Sequence, residues 1–220
     1  MIPKQEKIYN ELGKQLVNCN FNCSGINNNK KFGYFPRLLF IEKGNDNGKG
    51  AIIIGLNPGK CGESERKWVS KNQDYWVNQK DYYSNNLLKW KYFRRVKELL
   101  NLLGYQGDIL WTNLVKCECI GSNGDLPIQT IRTCVNKFLK NEIDSLLPQC
   151  DIFAIGNQSF GISSVAFPNN FVIGLPHSSG PYASTKFLRL LEKIRKDKKK
   201  YLNIINKKGD NNNQILAIKL

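Results

Sequence analysis

The chain has 220 residues, 41% hydrophobic and 23% charged, with 33 Lys and Arg against 18 Asp and Glu for a formal charge of +15. This composition suits one domain with a buried core and excludes wholesale disorder; with no apolar run of about 18 residues, a transmembrane helix is excluded too. So large a positive excess points to a polyanionic partner, nucleic acid first, the plainer alternative being lysines that only keep a basic protein in solution.

From the N-terminus, MIPKQEKIYNELGKQ carries Glu6 and Glu11 and no apolar stretch, so no secretory signal is expected there. Residues 1–48 read as a cysteine-bearing segment in which Asn27–Asn29 form a loop and Gly44–Gly50 a turn-rich lead. Ala51–Leu56 is then an apolar run of strand length, as are Ile109–Val115, Ile152–Ile155 and Phe171–Leu175. None alternates strictly with polar residues, which predicts a parallel sheet covered on both faces. Between the strands fall helical stripes. Phe93, Val96, Leu99, Leu100 and Leu103 make the first, with Gly104 placed to end it. Ile128, Ile131, Val135, Phe138, Leu139, Ile143 and Leu146 make the second, bracketed by Pro127 and Pro148. The third begins with Ser184 as N-cap and runs through Phe187, Leu188, Leu191 and Ile194 into a basic C-terminal helix and tail, residues 184–220. There Arg195–Lys200 and Lys207-Lys208 read as a solvated helix face, and Asn211–Asn213 as tail. The expectation is one α/β domain over 1–220, a three-layer α/β/α arrangement around a central, mostly parallel four-stranded sheet with right-handed crossovers.

Seven cysteines without an export signal point to a reducing compartment, the cytoplasm, and an odd count argues against a full disulfide framework. Buried thiols, a nucleophile or a metal site remain open. Chemistry that needs imidazole has one candidate, His177.

The unusual sequences follow the strands. Asn57-Pro58-Gly59 follows the first, Thr112-Asn113 ends the second with Lys116-Cys117 beyond, Gly156-Asn157-Gln158-Ser159 follows the third, and Pro176-His177-Ser178-Ser179-Gly180 the fourth. The C-terminal ends of parallel strands share one sheet edge, where ligands bind, so these segments are expected to converge. Taken singly, Asn-Pro-Gly is ordinary turn material and a lone histidine is more often structural than catalytic. The combination in this order is more specific.

In that combination the chain resembles the uracil-DNA glycosylase superfamily. Gly55-Leu56-Asn57-Pro58-Gly59 is similar to the first active-site motif of its mismatch-specific and single-strand-selective branches. Pro176-His177-Ser178-Ser179 is similar to the second, which in most relatives reads His-Pro-Ser. Thr112-Asn113-Leu114-Val115-Lys116-Cys117 resembles the Asn-Val-Val-Lys-Cys stretch of the iron-sulfur branch, family four. The departures are Asn57 where family four has an acid, Ser178 where proline follows the histidine, and Glu118-Cys119-Ile120 where Arg-Pro-Pro follows Lys-Cys.

What the resemblance implies is a monofunctional DNA glycosylase that flips uracil, or a related deaminated base, out of DNA and hydrolyses its N-glycosidic bond. Asn57 would orient the water, weaker help than a carboxylate gives, so modest turnover is expected. His177, neutral or charged, could donate to uracil O2 as negative charge gathers there. Asn113, with Gly55 and Leu56 beside it, would read the uracil edge. Among Tyr75, Trp76, Tyr82, Tyr83, Tyr92 and Phe93, Tyr83 is the chosen stacking ring. Lys60, Lys116, Ser178, Ser179 and the Gly180 backbone would contact DNA phosphates, flanked by Lys186 and Arg189, and Tyr182 would wedge into the gap left by the base. No lysine nucleophile is implied, so strand cleavage is not expected. The alternatives are a non-catalytic DNA-binding member of the same fold and a glycosylase for another damaged base. In each case the chain is expected to act as a monomer in the cytoplasm, with the nucleoid and away from membranes.

The resemblance also implies that Cys19, Cys23, Cys117 and Cys134 hold a [4Fe–4S] cluster of structural role, although family four usually spaces its first pair by two residues, not three. Zinc on the same thiolates, Cys119 or Cys61 replacing one ligand, and plain buried cysteines stay open.

Overall fold

The computed structural model describes residues 3–71, 74–120, 126–179, 181–206 and 215–217. In chain order the elements are α1 (Pro3–Val17), β1 (Ile26–Asn27), β2 (Phe40–Glu42), β3 (Ala51–Gly55), α2 (Glu63–Val69), α3 (Tyr75–Asn86), α4 (Lys91–Leu102), β4 (Ile109–Asn113) and β5 (Glu118–Cys119). They continue with α5 (Ile128–Cys134), a π-helical turn (Val135–Leu139), α6 (Lys140–Leu146), β6 (Asp151–Ile155), α7 (Asn157–Ala166), β7 (Val172–Leu175), α8 (Pro181–Lys196), α9 (Lys198–Asn206) and β8 (Ile215–Ala217). The class is mixed α/β, as expected. Two compact units divide the chain, one comprising Met1–Phe40, Gly55–Asn85 and Trp111–Pro148, the other Ile41–Ile54, Asn86–Leu110 and Gln149–Leu220.

The strands of the main sheet lie in the order β2-β4-β3-β6-β7-β8, and β6, β7 and β8 belong wholly to the second unit. Parallel register runs from Ala51 opposite Asp151 to Ile54 opposite Ala154, and from Ile152 opposite Val172 to Ile155 opposite Leu175. All four predicted strands are present. Every residue of β3, β4, β6 and β7 is buried, which is why their sequences do not alternate. The sheet also takes in β2 and β8, whose three residues apiece are too short to show a period. Gly174 in β7 lies against Phe160 of α7, whose ring would stand 2.8 Å from an added Cβ. The first predicted helix is α4, which buries Val96, Leu99 and Leu100; Gly104, at φ +82°, ends it in the left-handed conformation that glycine adopts freely. α8 begins at Pro181, so Ser184 lies inside its first turn and is not its N-cap. Proline preset for the first helical turn explains the earlier start.

The first unit is mostly helical. The second predicted stripe forms α5, the π turn and α6 in succession, burying Ile131, Val135, Phe138, Leu139, Ile143 and Leu146. Beside it runs α1, where Gln5 Nε2 donates to the Leu146 carbonyl at 2.7 Å. β1 and β5 pair antiparallel, Ile26 opposite Cys119, so Asn27 is strand where a loop was expected. Trp76 of α3 is almost wholly buried, donating to Asn10 Oδ1 and meeting the edge of Tyr9. Its ring lies flat over Gly13, and a Cβ there would stand 2.2 Å from the indole. Gly13→Ala therefore should cost about 1–3 kcal/mol by overpacking, despite alanine's better helix propensity, with a lower midpoint in urea as the measured result. Among the described residues no helix is long and apolar enough to cross a membrane.

Candidate nucleic-acid site and four-thiol cavity

In the first unit the ends of β3 and β4 are joined by backbone. Leu114 N–H donates to the Gly55 carbonyl and Val115 N–H to that of Leu56, each at 2.9 Å. These bonds carry the loops bearing Asn57 and Asn113 side by side. Asn57 is half-buried, and its Nδ2 donates to the Pro58 carbonyl at 3.0 Å. The contact fixes the amide and leaves Oδ1 as the atom that can accept from a water. Asn113 is only 3% exposed, and its Nδ2 is buried with no hydrogen-bond partner. A buried amide donor left unsatisfied is costly, and a water, an ion or a ligand atom is what completes such a group. Successive strand residues face opposite ways, which sends Thr112 to the other side, where its hydroxyl donates to Glu142 Oε2 at 2.7 Å.

Two predicted contacts are corrected here. Lys116 is 1% exposed, and its Nζ is paired with Glu142 Oε2 at 2.5 Å and with the Thr112 hydroxyl, so it is no phosphate contact. Its charge is spent on an acid 26 positions away, a partner no local pattern announces. Tyr83 is buried too, its hydroxyl donating to Glu65 Oε1 at 3.2 Å and its ring against Phe40, so no face is open to a base. Lys60 is exposed in the Asn57 loop as expected, and Gly55 and Leu56 serve as the backbone acceptors just described.

A buried charge network that the sequence did not reveal holds the same loop. Arg37 donates from Nη1 to both Glu65 oxygens at 3.0 and 3.1 Å, and from Nη2 to Glu118 Oε2 at 3.1 Å and to the Gly59 carbonyl. Its own N–H donates to the Lys116 carbonyl at 2.7 Å. Glu118 Oε2 also accepts from Cys61 N–H at 2.8 Å. Residues 59 and 61 are thus tied to the segment that follows Asn113. Burial pushes the Cys61 thiol up to about 12, with Glu65 and Glu118 adding to the shift and Arg37 opposing it. That thiol stays protonated at neutral pH and is no nucleophile.

In the second unit, His177 is exposed on the turn after β7. Its Nδ1 receives the Ser179 N–H at 3.2 Å and lies 3.1 Å from the Ser179 hydroxyl and 3.0 Å from the Ser179 carbonyl. The Ser179 N–H calls for an acceptor at Nδ1 and the Ser179 carbonyl for a donor, so the turn holds the ring in place in either tautomer. None of these contacts involves Nε2, which leaves that nitrogen to a group beyond the protein. The Tyr92 ring packs against the imidazole at 5.4 Å between centroids, and Arg95 Nη1 donates to the Ser178 carbonyl at 2.7 Å, holding the turn from α4. Ser178 itself is fully buried, with Oγ donating to the Tyr92 carbonyl at 3.3 Å, so it supports the turn and does not touch phosphate. Ser179 is half-buried and engaged with the imidazole. Gly180 lies outside the described residues, as does the Tyr182 side chain. Lys186 and Arg189 are exposed on α8.

The four predicted ligand cysteines gather in the first unit. Cys19, Cys23, Cys117 and Cys134 all line one small cavity of about 20 Å³, closed by Phe21, Pro36 and Phe138. Burial raises the Cys117 thiol, and the neighbouring Cys134, Cys19 and Cys23 raise it further; burial raises Cys23, helped by Cys19. Cys134 is pushed up to about 12 by burial, opposed by Lys116, whose backbone N–H donates to Cys134 Sγ at 3.3 Å. Four thiols around one small cavity, with neighbours among them raising the pKa of Cys23, Cys117 and Cys134 and an N–H on one sulfur, fit a group held by four thiolates. Among the described residues no group of three or more His, Cys, Asp or Glu is arranged to hold a metal ion as it stands.

Compared with protein-family models and with curated proteins, the chain matches none.

Proposed function

We propose that this protein is a monofunctional DNA glycosylase that hydrolyses the N-glycosidic bond of uracil. One observation carries the proposal: the loops bearing Asn57 and Asn113 are locked side by side, with the Asn113 amide donor buried and unpartnered. A base edge is the chemistry that completes such a donor, and uracil O4 is an acceptor of the right kind. Cleaving the base–sugar bond leaves positive charge on the sugar and negative charge on the base. Asn57 Oδ1 orients the attacking water, and the His177 imidazole donates to O2 as that charge grows. Without a general-base carboxylate the turnover is modest. Lys60, Ser179 and the cations of α8 supply phosphate contacts, and the net charge of +15 supplies the long-range attraction. The proposal includes the three-layer α/β/α arrangement, a monomer, and DNA in the cytoplasm as its setting.

Cys19, Cys23, Cys117 and Cys134 would hold a [4Fe–4S] cluster, which when bound pins the N-terminal segment to the β4–β5 connection. Protein purified without oxygen is expected to be brown and to contain iron and sulfide in equal amounts; zinc without iron would remove the cluster.

The function is tested by offering oligonucleotides with one uracil, hypoxanthine, xanthine or a thymine opposite guanine, and identifying the freed base by mass spectrometry. Uracil is the expected product, with the strand intact until alkali is added. Release of a different base alone would move the substrate, and strand scission without alkali would contradict a monofunctional mechanism.

A further inference from the structure

We propose that the first unit carries a second subsite, beside the Asn57 loop, for a phosphate-bearing nucleotide of a DNA strand. A cavity of about 410 Å³ lies there, lined by Asn27, Tyr34, Lys60, Arg66, Cys119 and Ile120, along with Cys61 and Glu118. Its size is that of a small-ligand pocket. Its charge is what selects the occupant. Lys60 and Arg66 bring two positive charges, while the one acid in the lining, Glu118, is already held by Arg37 and by Cys61 N–H. Arg37 is shared between Glu118 and Glu65, so that buried group keeps one net negative charge; against it Lys60 and Arg66 leave one net positive charge, which favours an anion.

The shape of the lining narrows the anion. Arg66 is held over the Tyr34 ring, its guanidinium carbon 5.3 Å from the ring centre and Nη1 3.3 Å from the tyrosine hydroxyl. A planar guanidinium fixed in this way loses little freedom on gripping phosphate. Ile120 is 68% exposed, an apolar surface for a sugar or base. Asn27 adds a neutral donor and acceptor on β1. Cations, an aromatic ring and an apolar side chain around one cavity are the elements of a single-strand site. Chain length sets its place. Lys60 is three residues from Asn57, at most about 11 Å away by Cα, or roughly three stacked nucleotide steps along a strand. The identity of the bound unit as a neighbour of the excised base rests on the proposed function; binding of a strand does not.

The test uses the full chain and a single-stranded DNA oligonucleotide without uracil, carrying 5-iodocytosine. Irradiation is expected to cross-link the strand within residues 25–34, 60–66 or 118–120, Tyr34 foremost, as mapped by mass spectrometry. Lys60→Gln and Arg66→Gln are each expected to weaken binding severalfold and to lower the slope of log Kd against log salt by about 0.7, one phosphate contact apiece. Lys199→Gln on α9 serves as the control, leaving the cross-link in place. Cross-links that avoid all three segments, or salt slopes unchanged in both variants, overturn the subsite. Cross-linking in the unaltered chain needs no variant to fold. Since the probe holds no uracil, a failure of base release leaves this result standing, and loss of the cross-link with base release intact overturns the subsite alone.

Discussion

Replacing Arg37 by methionine is expected to lower the unfolding free energy by about 3–5 kcal/mol, the largest loss from any single change considered. Methionine keeps much of the volume and removes the charge. Glu65 and Glu118, buried at side-chain exposures of 6% and 11%, would then face each other's charge with no cation between them. Gly59 would lose the donor to its carbonyl as well. Burial alone would weaken the guanidinium's hold on its proton, but Tyr83, Glu65, Cys61 and Glu118 together outweigh it, so the pair is a committed one. For a chain of this size the loss corresponds to a melting point about 6–20 °C lower. Combining Arg37→Met with Glu65→Gln and Glu118→Gln should recover more than half of it, because the cost lies in uncompensated acids and not in a lost contact. Thermal unfolding of the unaltered chain, the single variant and the triple variant decides this; a triple variant no more stable than the single one would show that packing was responsible. Lysine would not substitute well, since one ammonium cannot reach four acceptors in a planar fork.

Asn113→Leu is expected to separate function from stability. The asparagine keeps a buried donor without a partner, a feature that normally destabilises by about 1–3 kcal/mol. Leucine has the same branching and the same number of heavy atoms, and removes that donor. Base release should fall at least about 100-fold, the usual consequence of deleting a hydrogen bond on which the transition state depends, while the melting point holds or rises. Single-turnover release of uracil and thermal unfolding of the same preparation measure the two effects. Unchanged release would take Asn113 out of the site; a collapse in stability would make the residue an ordinary core amide.

These two residues also mark the boundary of what could be read from sequence. Asn113 was legible because a polar residue closes an apolar run, and the end of a parallel strand is where ligands gather. The four central strands and the α4 stripe ending at Gly104 were legible for the same kind of local reason. α1 carried a usable signal that went unread: Tyr9, Gly13, Leu16 and Val17 recur at helical spacing and are buried. Arg37 was not legible, because its partners lie 28 and 81 positions along the chain and only the folded backbone brings three charges together. Lys116 misled for that reason as well, a cation beside a candidate site whose charge is consumed by Glu142. Ser178 misled because a hydroxyl suited to phosphate can equally be spent on a buried carbonyl, and Tyr83 because a ring suited to stack on a base can equally be packed into the core.

The most direct test of the whole account is single-turnover release of uracil from a one-uracil oligonucleotide, compared among the unaltered chain, Asn57→Ala, His177→Ala and the double variant. Release by the unaltered chain, a loss of about 100-fold or more in each single variant and little further loss in the double is the outcome the proposed mechanism predicts, since it has both groups serve one transition state. An unaltered chain that binds the oligonucleotide to saturation yet frees no more uracil than the double variant would contradict it.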